Sequence, residues 1–214
     1  MSATLEQAIE IQQQQMSEDC RLRFSVSDYR KIAEAGILPA KPKTELIRGV
    51  IYMMLPIGRP HGICTALLHS LFATHLSIEH WAIFDQVTVE FDDESAPEPD
   101  LCILRGSPRA FEAREPRVDE YAYLIEVAQT SLKTDRTTKL SLYAEHGVSD
   151  YWIVNLVDRV IEAYSQPYTD ANSGQSIYKN CHIYAEQDSV TMPFDSLSPL
   201  VFKVADILPG KSAK

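Results

Sequence analysis

The feature that most constrains this chain is a short apolar segment with one carboxylate at its centre. Residues 124–128 read Leu-Ile-Glu-Val-Ala, a run without glycine or proline that is typical of a buried strand. Its central residue is Glu126. An uncompensated buried carboxylate is unfavourable, so such a group is normally protonated, paired with a cation or bound to a metal. The chain must therefore fold so that some other group compensates Glu126.

A second carboxylate opens another apolar run. Asp100 follows a proline and precedes Leu-Cys-Ile-Leu at 101–104, which also predicts a strand. A sheet that pairs the two strands would place both acids at one edge, an arrangement that suits a hard divalent cation such as Mg²⁺. Two simpler interpretations stay open. Glu126 could pair with an arginine in the core, and Asp after Pro commonly starts a strand after a turn.

The length of 214 residues predicts one folded domain, which we place at residues 25–208. Residues 1–24 contain a glutamine run and predict a mobile arm, and residues 209–214 predict a flexible tail. No apolar run has the length of a membrane span, and the first residues lack the pattern of a secretory signal. These features predict a cytoplasmic protein that does not enter a membrane.

The cysteines and the net charge narrow the classes of function. The cysteines at positions 20, 64, 102 and 181 are widely spaced, which predicts free thiols in a reducing compartment. Neither they nor the six histidines show the ligand spacing of a zinc site. The chain also lacks the Gly-x-Ser-x-Gly elbow of serine hydrolases. A net charge of −10 argues against broad electrostatic attraction to nucleic acid.

The periodicity of the apolar residues predicts alternating strands and helices. His61 falls at the start of one predicted helix and could reach a site, although a lone histidine at a helix end is commonly structural. Asp135 is a candidate N-cap for another. The predicted elements are helices over 27–34, 61–78 and 135–145, a strand pair over 45–54 with its turn at Arg48 and Gly49, and strands over 81–91, 101–104, 124–128 and 151–156.

The order of these acids and elements resembles the PD-(D/E)XK superfamily and, within it, the Uma-two type endonucleases. The resemblance covers about residues 25–208. The run from 126 to 154 is long and specific, whereas the Pro-Asp pair alone is common. The stretches that carry the resemblance are 45–51, 99–101, 126–140 and 143–154.

This resemblance implies an α/β protein with a restriction-endonuclease-like mixed β-sheet flanked by helices. It implies a nuclease that hydrolyses phosphodiester bonds of nucleic acid, with DNA as the expected substrate and Mg²⁺ or Mn²⁺ as the cofactor. Asp100 and Glu126 correspond to the metal-binding acids, and Glu45 matches an acid that joins or supports them. Related folds often dimerise to cut two strands, so the resemblance also implies a homodimer.

The chain departs from the superfamily motif at two positions. The usual catalytic lysine lies two residues after the strand glutamate, on the same face of the strand, but that residue is Ala128 in this chain. Lys139, on the following helix, resembles the lysine that replaces the usual catalytic lysine in this branch of the superfamily. Asp135, one turn earlier, is predicted to hold the ammonium group, with a surface ion pair as the alternative. Gln129 is the second departure, since many relatives carry Asp or Ser there.

A second class of function remains open at this stage. The chain could be a catalytically inactive module that binds nucleic acid or a protein on the same fold. Ala128, Gln129 and the acidic net charge favour this alternative. The presence of Asp100, Glu126 and Lys139 together argues against it, because a pure binding module needs no divalent cation.

Overall fold

The computed structural model describes residues 21–54, 56–194 and 198–211. Most of the predicted N-terminal arm and the last residues of the predicted tail lie outside the described residues. The chain forms two compact units, and the unit boundaries fall at Met54/Leu55, Val89/Glu90 and Pro97/Glu98. The single domain that we predict over 25–208 includes both units and stays a prediction.

The first unit contains helix α1 and a two-stranded hairpin. Helix α1 (Val26–Glu34) begins after Ser25, whose hydroxyl accepts a hydrogen bond from the Asp28 backbone N–H, so the helix begins one residue before the predicted start at 27. Strands β1 (Thr44–Ile47) and β2 (Val50–Met53) are antiparallel and turn at Arg48 and Gly49, as predicted. Both turn residues have positive φ, which favours glycine.

The second unit contains a six-stranded mixed sheet, in which the strand order follows the chain order. The third and fourth strands in this order are parallel and all other neighbours are antiparallel. This sheet and its flanking helices confirm the predicted α/β fold. The strands are β3 (Trp81–Asp85), β4 (Leu101–Arg105), β5 (Tyr121–Ala128), β6 (Asp150–Asn155), β7 (Val160–Thr169) and β8 (Ser176–Ala185).

Two helical segments lie beside the sheet. Helix α2 (Arg59–His75) buries Cys64, Leu68 and Phe72 in the main core. The crossover from β5 to β6 is one helical segment, which we call α3. It begins as α-helix at Leu132–Thr134, widens into a π-helical turn at Asp135–Lys139, and ends as α-helix at Leu140–Glu145. π-Helical turns are rare and occur often at functional sites.

The end of the described chain forms a second hairpin, β9 (Ser189–Met192) and β10 (Leu200–Lys203), followed by the short helix α4 (Val204–Ile207). Two short 3₁₀ helices, Pro108–Phe111 and Val118–Glu120, lie between β4 and β5. Among the described residues, no helix is both long enough and apolar enough to cross a membrane.

Two sequence predictions near the sheet edge were wrong in detail. The strand predicted over 81–91 ends at Asp85, because Gln86 has a φ of 49° and leaves the extended conformation. Asp135 is not an N-cap. The helix begins three residues earlier, at Leu132, so Asp135 lies inside the helical segment with its side chain buried.

Candidate functional site

The two predicted metal-binding acids lie on neighbouring strands. Asp100 immediately precedes β4, and the register pairs Leu101 with Ile125, the residue before Glu126. The Asp100 Oδ2 atom accepts a hydrogen bond from the Val127 backbone N–H at 2.8 Å. Both carboxylates are buried, with exposed fractions of 6% for Asp100 and 3% for Glu126. The sheet therefore fixes Asp100 next to the strand segment that carries Glu126.

Helix α3 supplies two hydrogen-bond donors to Glu126. The Lys139 Nζ atom lies 2.9 Å from Glu126 Oε1, and the Tyr143 hydroxyl donates to the same oxygen at 2.8 Å. Lys139 and Tyr143 are four residues apart, so they share one face of the helix. Both side chains are buried. The group that compensates Glu126 is thus a lysine from α3, and the core arginine considered from the sequence is not needed.

A third set of contacts surrounds Asp100. The His61 Nε2 atom lies 3.0 Å from Asp100 Oδ2, and His61 comes from the first turn of α2. The Gln86 side-chain amide lies 3.4 Å from Asp100 Oδ1, and the Gln86 backbone N–H donates to the Asp100 carbonyl. The structure therefore brings the predicted His61 into contact with a predicted ligand.

Sequence reasoning missed Gln86 and the hydroxyl group of Tyr143. Tyr143 fits the apolar stripe of its helix, and its side chain is buried. Because Tyr143 lies four residues after Lys139, the sequence could have indicated that the two side chains share one face of the helix and contact the same group. Gln86 had no comparable signal, because its contact depends on a positive φ that ends β3. Apolar periodicity does not report such a local backbone change.

The remaining predicted residues lie in three places. Asp135 accepts a hydrogen bond from the Ser131 hydroxyl at 2.6 Å, and its contact with the Lys139 ammonium stays a prediction. Gln129 is exposed just after β5. Its Oε1 atom lies beside Gly58, and a Cβ atom added at Gly58 would be 3.2 Å from this oxygen. Glu45 is buried on β1 of the first unit, and its part in a metal site stays a prediction.

The two cysteines nearest the acids are poor nucleophiles. Burial raises the pKa of the Cys64 thiol to about 12, and the negative charge of Asp100 contributes to this shift. Burial also raises the pKa of the Cys102 thiol well above its usual range, with a further contribution from the Glu126 carboxylate. Since the thiolate is the reactive form, both residues act as buried apolar side chains. Both thiols are free, as predicted.

The donor set at the sheet edge fits Mg²⁺ or Mn²⁺. Asp100 and Glu126 offer carboxylate oxygens, which hard cations prefer. No group of three or more His, Cys, Asp or Glu side chains in the described part of the chain is arranged to hold a metal ion. Mg²⁺ is commonly held by only one or two carboxylates, with waters and substrate phosphate completing its shell. Two acids are therefore enough for this class of ion.

Comparison with known proteins identifies the family. The model of the family described as "Uma2: Putative restriction endonuclease" matches residues 26–194. The chain belongs to the Uma2 family. The Uma2 match includes all seven predicted site residues and confirms the resemblance found in the sequence. It assigns the chain to this family.

A solved structure supports the same fold. The crystal structure of a putative nuclease belonging to DUF820 from Anabaena variabilis is similar to this Uma2 chain, with a TM-score of 0.61. The similarity covers 86% of this chain and 97% of that chain at 17% sequence identity. At this identity the likeness concerns the fold alone. A search of curated proteins found no match.

Proposed function

We propose that this Uma2 protein is a metal-dependent nuclease that hydrolyses phosphodiester bonds of nucleic acid, with DNA as the expected substrate. Asp100 and Glu126 are the proposed ligands of Mg²⁺ or Mn²⁺, and Lys139 is the proposed catalytic lysine. One observation carries the proposal: Lys139 Nζ lies 2.9 Å from Glu126 Oε1. The contact lies on the strand segment to which Asp100 is hydrogen-bonded.

The cost of burying these charges supports a functional role. Replacing a buried ion pair by apolar residues of similar volume is often neutral or stabilising, so such a pair is weak evidence for stability alone. Here two carboxylates and one ammonium group are all less than 10% exposed. Groups of this kind are concentrated at functional sites, where their charges serve the reaction.

The position of Lys139 offsets the missing lysine at Ala128. Residues 126 and 128 share one face of β5, and Lys139 reaches Glu126 from α3 on that same side. The ammonium group therefore lies near the place that a lysine at 128 would occupy in the standard motif. This geometry supports the hypothesis that Lys139 replaces the lysine of the standard motif, and it argues against the alternative that the protein is an inactive module.

Each residue would have a distinct role in the reaction. When bound, the divalent cation would lower the pKa of a water molecule and neutralise charge on the scissile phosphate. Lys139 would orient the attacking water and stabilise the negative charge that develops on the phosphate, because its ammonium group acts in a site with little water. His61 and the Val127 N–H hold the Asp100 carboxylate in place.

Calorimetric titration with Mn²⁺ tests the metal site. We expect the wild-type protein to bind Mn²⁺. The Glu126→Gln substitution keeps the shape of the side chain, and it should lower the affinity for Mn²⁺ at least tenfold. Glu120→Gln is the control, since Glu120 is also an acid held by an arginine, Arg114, but contacts none of the candidate site residues. Equal Mn²⁺ affinity in wild type and Glu126→Gln would remove Glu126 from the metal site.

A cleavage assay tests the reaction itself. With plasmid DNA and Mn²⁺ we expect cleavage by the wild type and loss of cleavage in Asp100→Asn and Glu126→Gln. Full metal-dependent cleavage by either variant would refute the assignment.

Ala128, Gln129 and the net charge of −10 favour the inactive binding module as the second candidate. Binding of DNA that needs no divalent ion and never leads to cleavage would support it.

A further inference from the structure

The two oxygens of the Asp100 carboxylate have unequal surroundings. The Oδ2 atom accepts a hydrogen bond from the Val127 backbone N–H at 2.8 Å and lies 3.0 Å from His61 Nε2. Within the described residues, the Oδ1 atom has one polar contact, the Gln86 side-chain amide at 3.4 Å. That contact is long, because hydrogen bonds to a carboxylate are commonly about 2.7–2.9 Å. Oδ1 is therefore the Asp100 oxygen that a cation can approach.

Gln86 adopts a backbone conformation that is unfavourable for its residue type. Its φ is 49°, in the left-handed region that favours glycine. Its backbone N–H donates to the Asp100 carbonyl at 3.1 Å, so the backbone is attached to the same residue that the side chain contacts. Residues held in such conformations cluster at functional sites. The backbone and the side chain of Gln86 thus both indicate a role at Asp100.

A second glutamine has the same conformation away from the candidate site. Gln166, on β7, has a φ of 60° and is exposed. In the part of the chain that the structure describes, Gln166 makes no hydrogen bond to Asp100. Replacing either glutamine by glycine relieves the positive φ, but only the change at 86 removes a group beside Asp100. Gln166 is therefore a matched control for Gln86.

The Gln86 amide carries an oxygen that suits a hard cation. In the structure Nε2 faces Asp100 Oδ1. A half-turn about the Cγ–Cδ bond presents Oε1 in its place, and this torsion is broad and nearly two-fold. Carboxylate, carbonyl and water oxygens are the ligands that Mg²⁺ and Mn²⁺ prefer. An ion bound to Oδ1 therefore lies within reach of a second protein oxygen without a change of fold.

We propose that Gln86 is a third ligand of the Mg²⁺ or Mn²⁺ site, with its amide oxygen on the ion beside Asp100 Oδ1. This inference rests on the proposed function, because it extends the metal site of Asp100 and Glu126. It adds a neutral ligand from the residue that ends β3, outside the stretches that carry the family resemblance.

Removing the side chain tests the ligand. In calorimetric titrations with Mn²⁺, we expect Gln86→Gly to lower the affinity at least about tenfold, since even the loss of an outer-shell partner commonly has this effect. The Tm in EDTA should change little, because relief of the positive φ offsets the added freedom of glycine in the unfolded chain. Gln166→Gly should leave both the Tm and the Mn²⁺ affinity close to those of the wild type.

Replacement by glutamate separates a ligand from a hydrogen-bond donor. A glutamate offers the ion a charged oxygen, so Gln86→Glu should bind Mn²⁺ about tenfold more tightly, with a lower Tm in EDTA because two carboxylates then face each other. A residue that only donates to Asp100 would give the opposite result, since glutamate cannot donate and repels the acid. Gln166→Glu adds the same charge away from the site and should leave the affinity close to that of the wild type.

The outcomes separate this inference from the proposed function. Equal Mn²⁺ affinity in the wild type and Gln86→Gly, or weaker binding by Gln86→Glu, would overturn the third ligand and leave the site of Asp100 and Glu126 intact. Absence of Mn²⁺ binding by the wild type would overturn both. If Gln86→Gly weakens Mn²⁺ binding and the wild type never cleaves DNA, the ligand is confirmed and the nuclease function is wrong.

Discussion

At the scale of single residues, the arrangement around Glu126 depends on one shared oxygen. The Tyr143 hydroxyl and the Lys139 ammonium group both contact Oε1, at 2.8 and 2.9 Å. A carboxylate held by two donors on one oxygen has a fixed orientation. Groups that orient a metal ligand in this way commonly change metal affinity when they are removed. Tyr143 is therefore expected to act as a positioning residue.

Removing only the Tyr143 hydroxyl tests this role. We expect Tyr143→Phe to weaken Mn²⁺ binding by about tenfold, while the loss of one hydrogen bond lowers stability by about 1 kcal/mol. Calorimetry and urea unfolding measure the two effects. Tyr178→Phe is the control, because its hydroxyl is also buried but donates to the Val148 carbonyl. The role is excluded if both variants bind Mn²⁺ as the wild type does.

Breaking the ion pair from the lysine side separates stability from catalysis. Lys139→Met leaves the buried Glu126 without its cation, and we expect a loss of about 3 kcal/mol of unfolding free energy together with loss of cleavage. The double variant Glu126→Gln/Lys139→Met removes both charges and should recover most of the stability but no activity. Denaturant unfolding of the three proteins gives the comparison. A double variant as unstable as Lys139→Met would contradict the ion-pair explanation.

The main residues of the candidate site could be predicted because their types are unusual for their surroundings. A carboxylate in an apolar strand and a Pro-Asp before another strand are visible without a structure, and their order led to the family. The contacts of Lys139 could be expected only from the resemblance. Gln86 and the Tyr143 hydroxyl were not predicted, because their positions depend on a local φ and on the exact orientation of α3.

At the scale of elements, a bidentate ion pair connects helix α3 to the sheet. Arg136, in the π-helical turn, donates to both carboxylate oxygens of Glu162 on β7, at 2.6 and 2.9 Å. Asn155 and Tyr164 also donate to this carboxylate. The turn that contains Lys139 is thereby attached to β7. Apolar periodicity predicted the helix but gave no indication of this turn, since its residues, Asp-Arg-Thr-Thr-Lys, are all polar.

The Glu162 network predicts a pH dependence of stability. Burial alone raises the pKa of Glu162, but hydrogen bonds from Arg136, Asn155 and Tyr164 outweigh it and bring the pKa below its usual value of 4.5. A carboxylate with a lowered folded-state pKa stabilises the protein above the unfolded-state pKa, and this contribution is lost as the pH falls through the folded-state value.

We therefore expect Glu162→Gln to show a smaller loss of stability than the wild type when the pH is lowered from 5 towards 3. Thermal unfolding at several pH values measures this difference. Glu112→Gln is the control, because Glu112 is an exposed acid with only a long contact to Arg109. Parallel curves for wild type and Glu162→Gln would rule out the network as a source of the acid sensitivity.

At the scale of the whole molecule, the family match extends across residues from both compact units. The mixed sheet was predicted from the resemblance and is present, whereas the division into units had no signal in the composition. Glu45 belongs to the first unit, and the homodimer and the cytoplasmic location also stay predictions. The effect of Mn²⁺ on thermal stability can be measured on the complete chain.

Divalent ions should stabilise the folded protein through linkage. At a Mn²⁺ concentration of about 100 times Kd, the expected gain is about 2.7 kcal/mol, or roughly 5–10 °C in Tm for a chain of this size. The shift should disappear with excess EDTA and in Asp100→Asn. Differential scanning calorimetry provides the measurement. An equal shift in Asp100→Asn would place the bound ion elsewhere.

The short contact between Lys139 and Glu126 makes the lysine an internal counterion for the acid. A protein with such a counterion does not depend on divalent ions to fold around its acids, unlike small domains that fold only when they bind zinc. Metal binding at Glu126 would then be an exchange of cations, in which an arriving ion competes with an ammonium group of lower charge. This exchange would favour doubly charged ions over K⁺ or Na⁺. Selectivity for ion charge would therefore be a consequence of where the fold places one lysine.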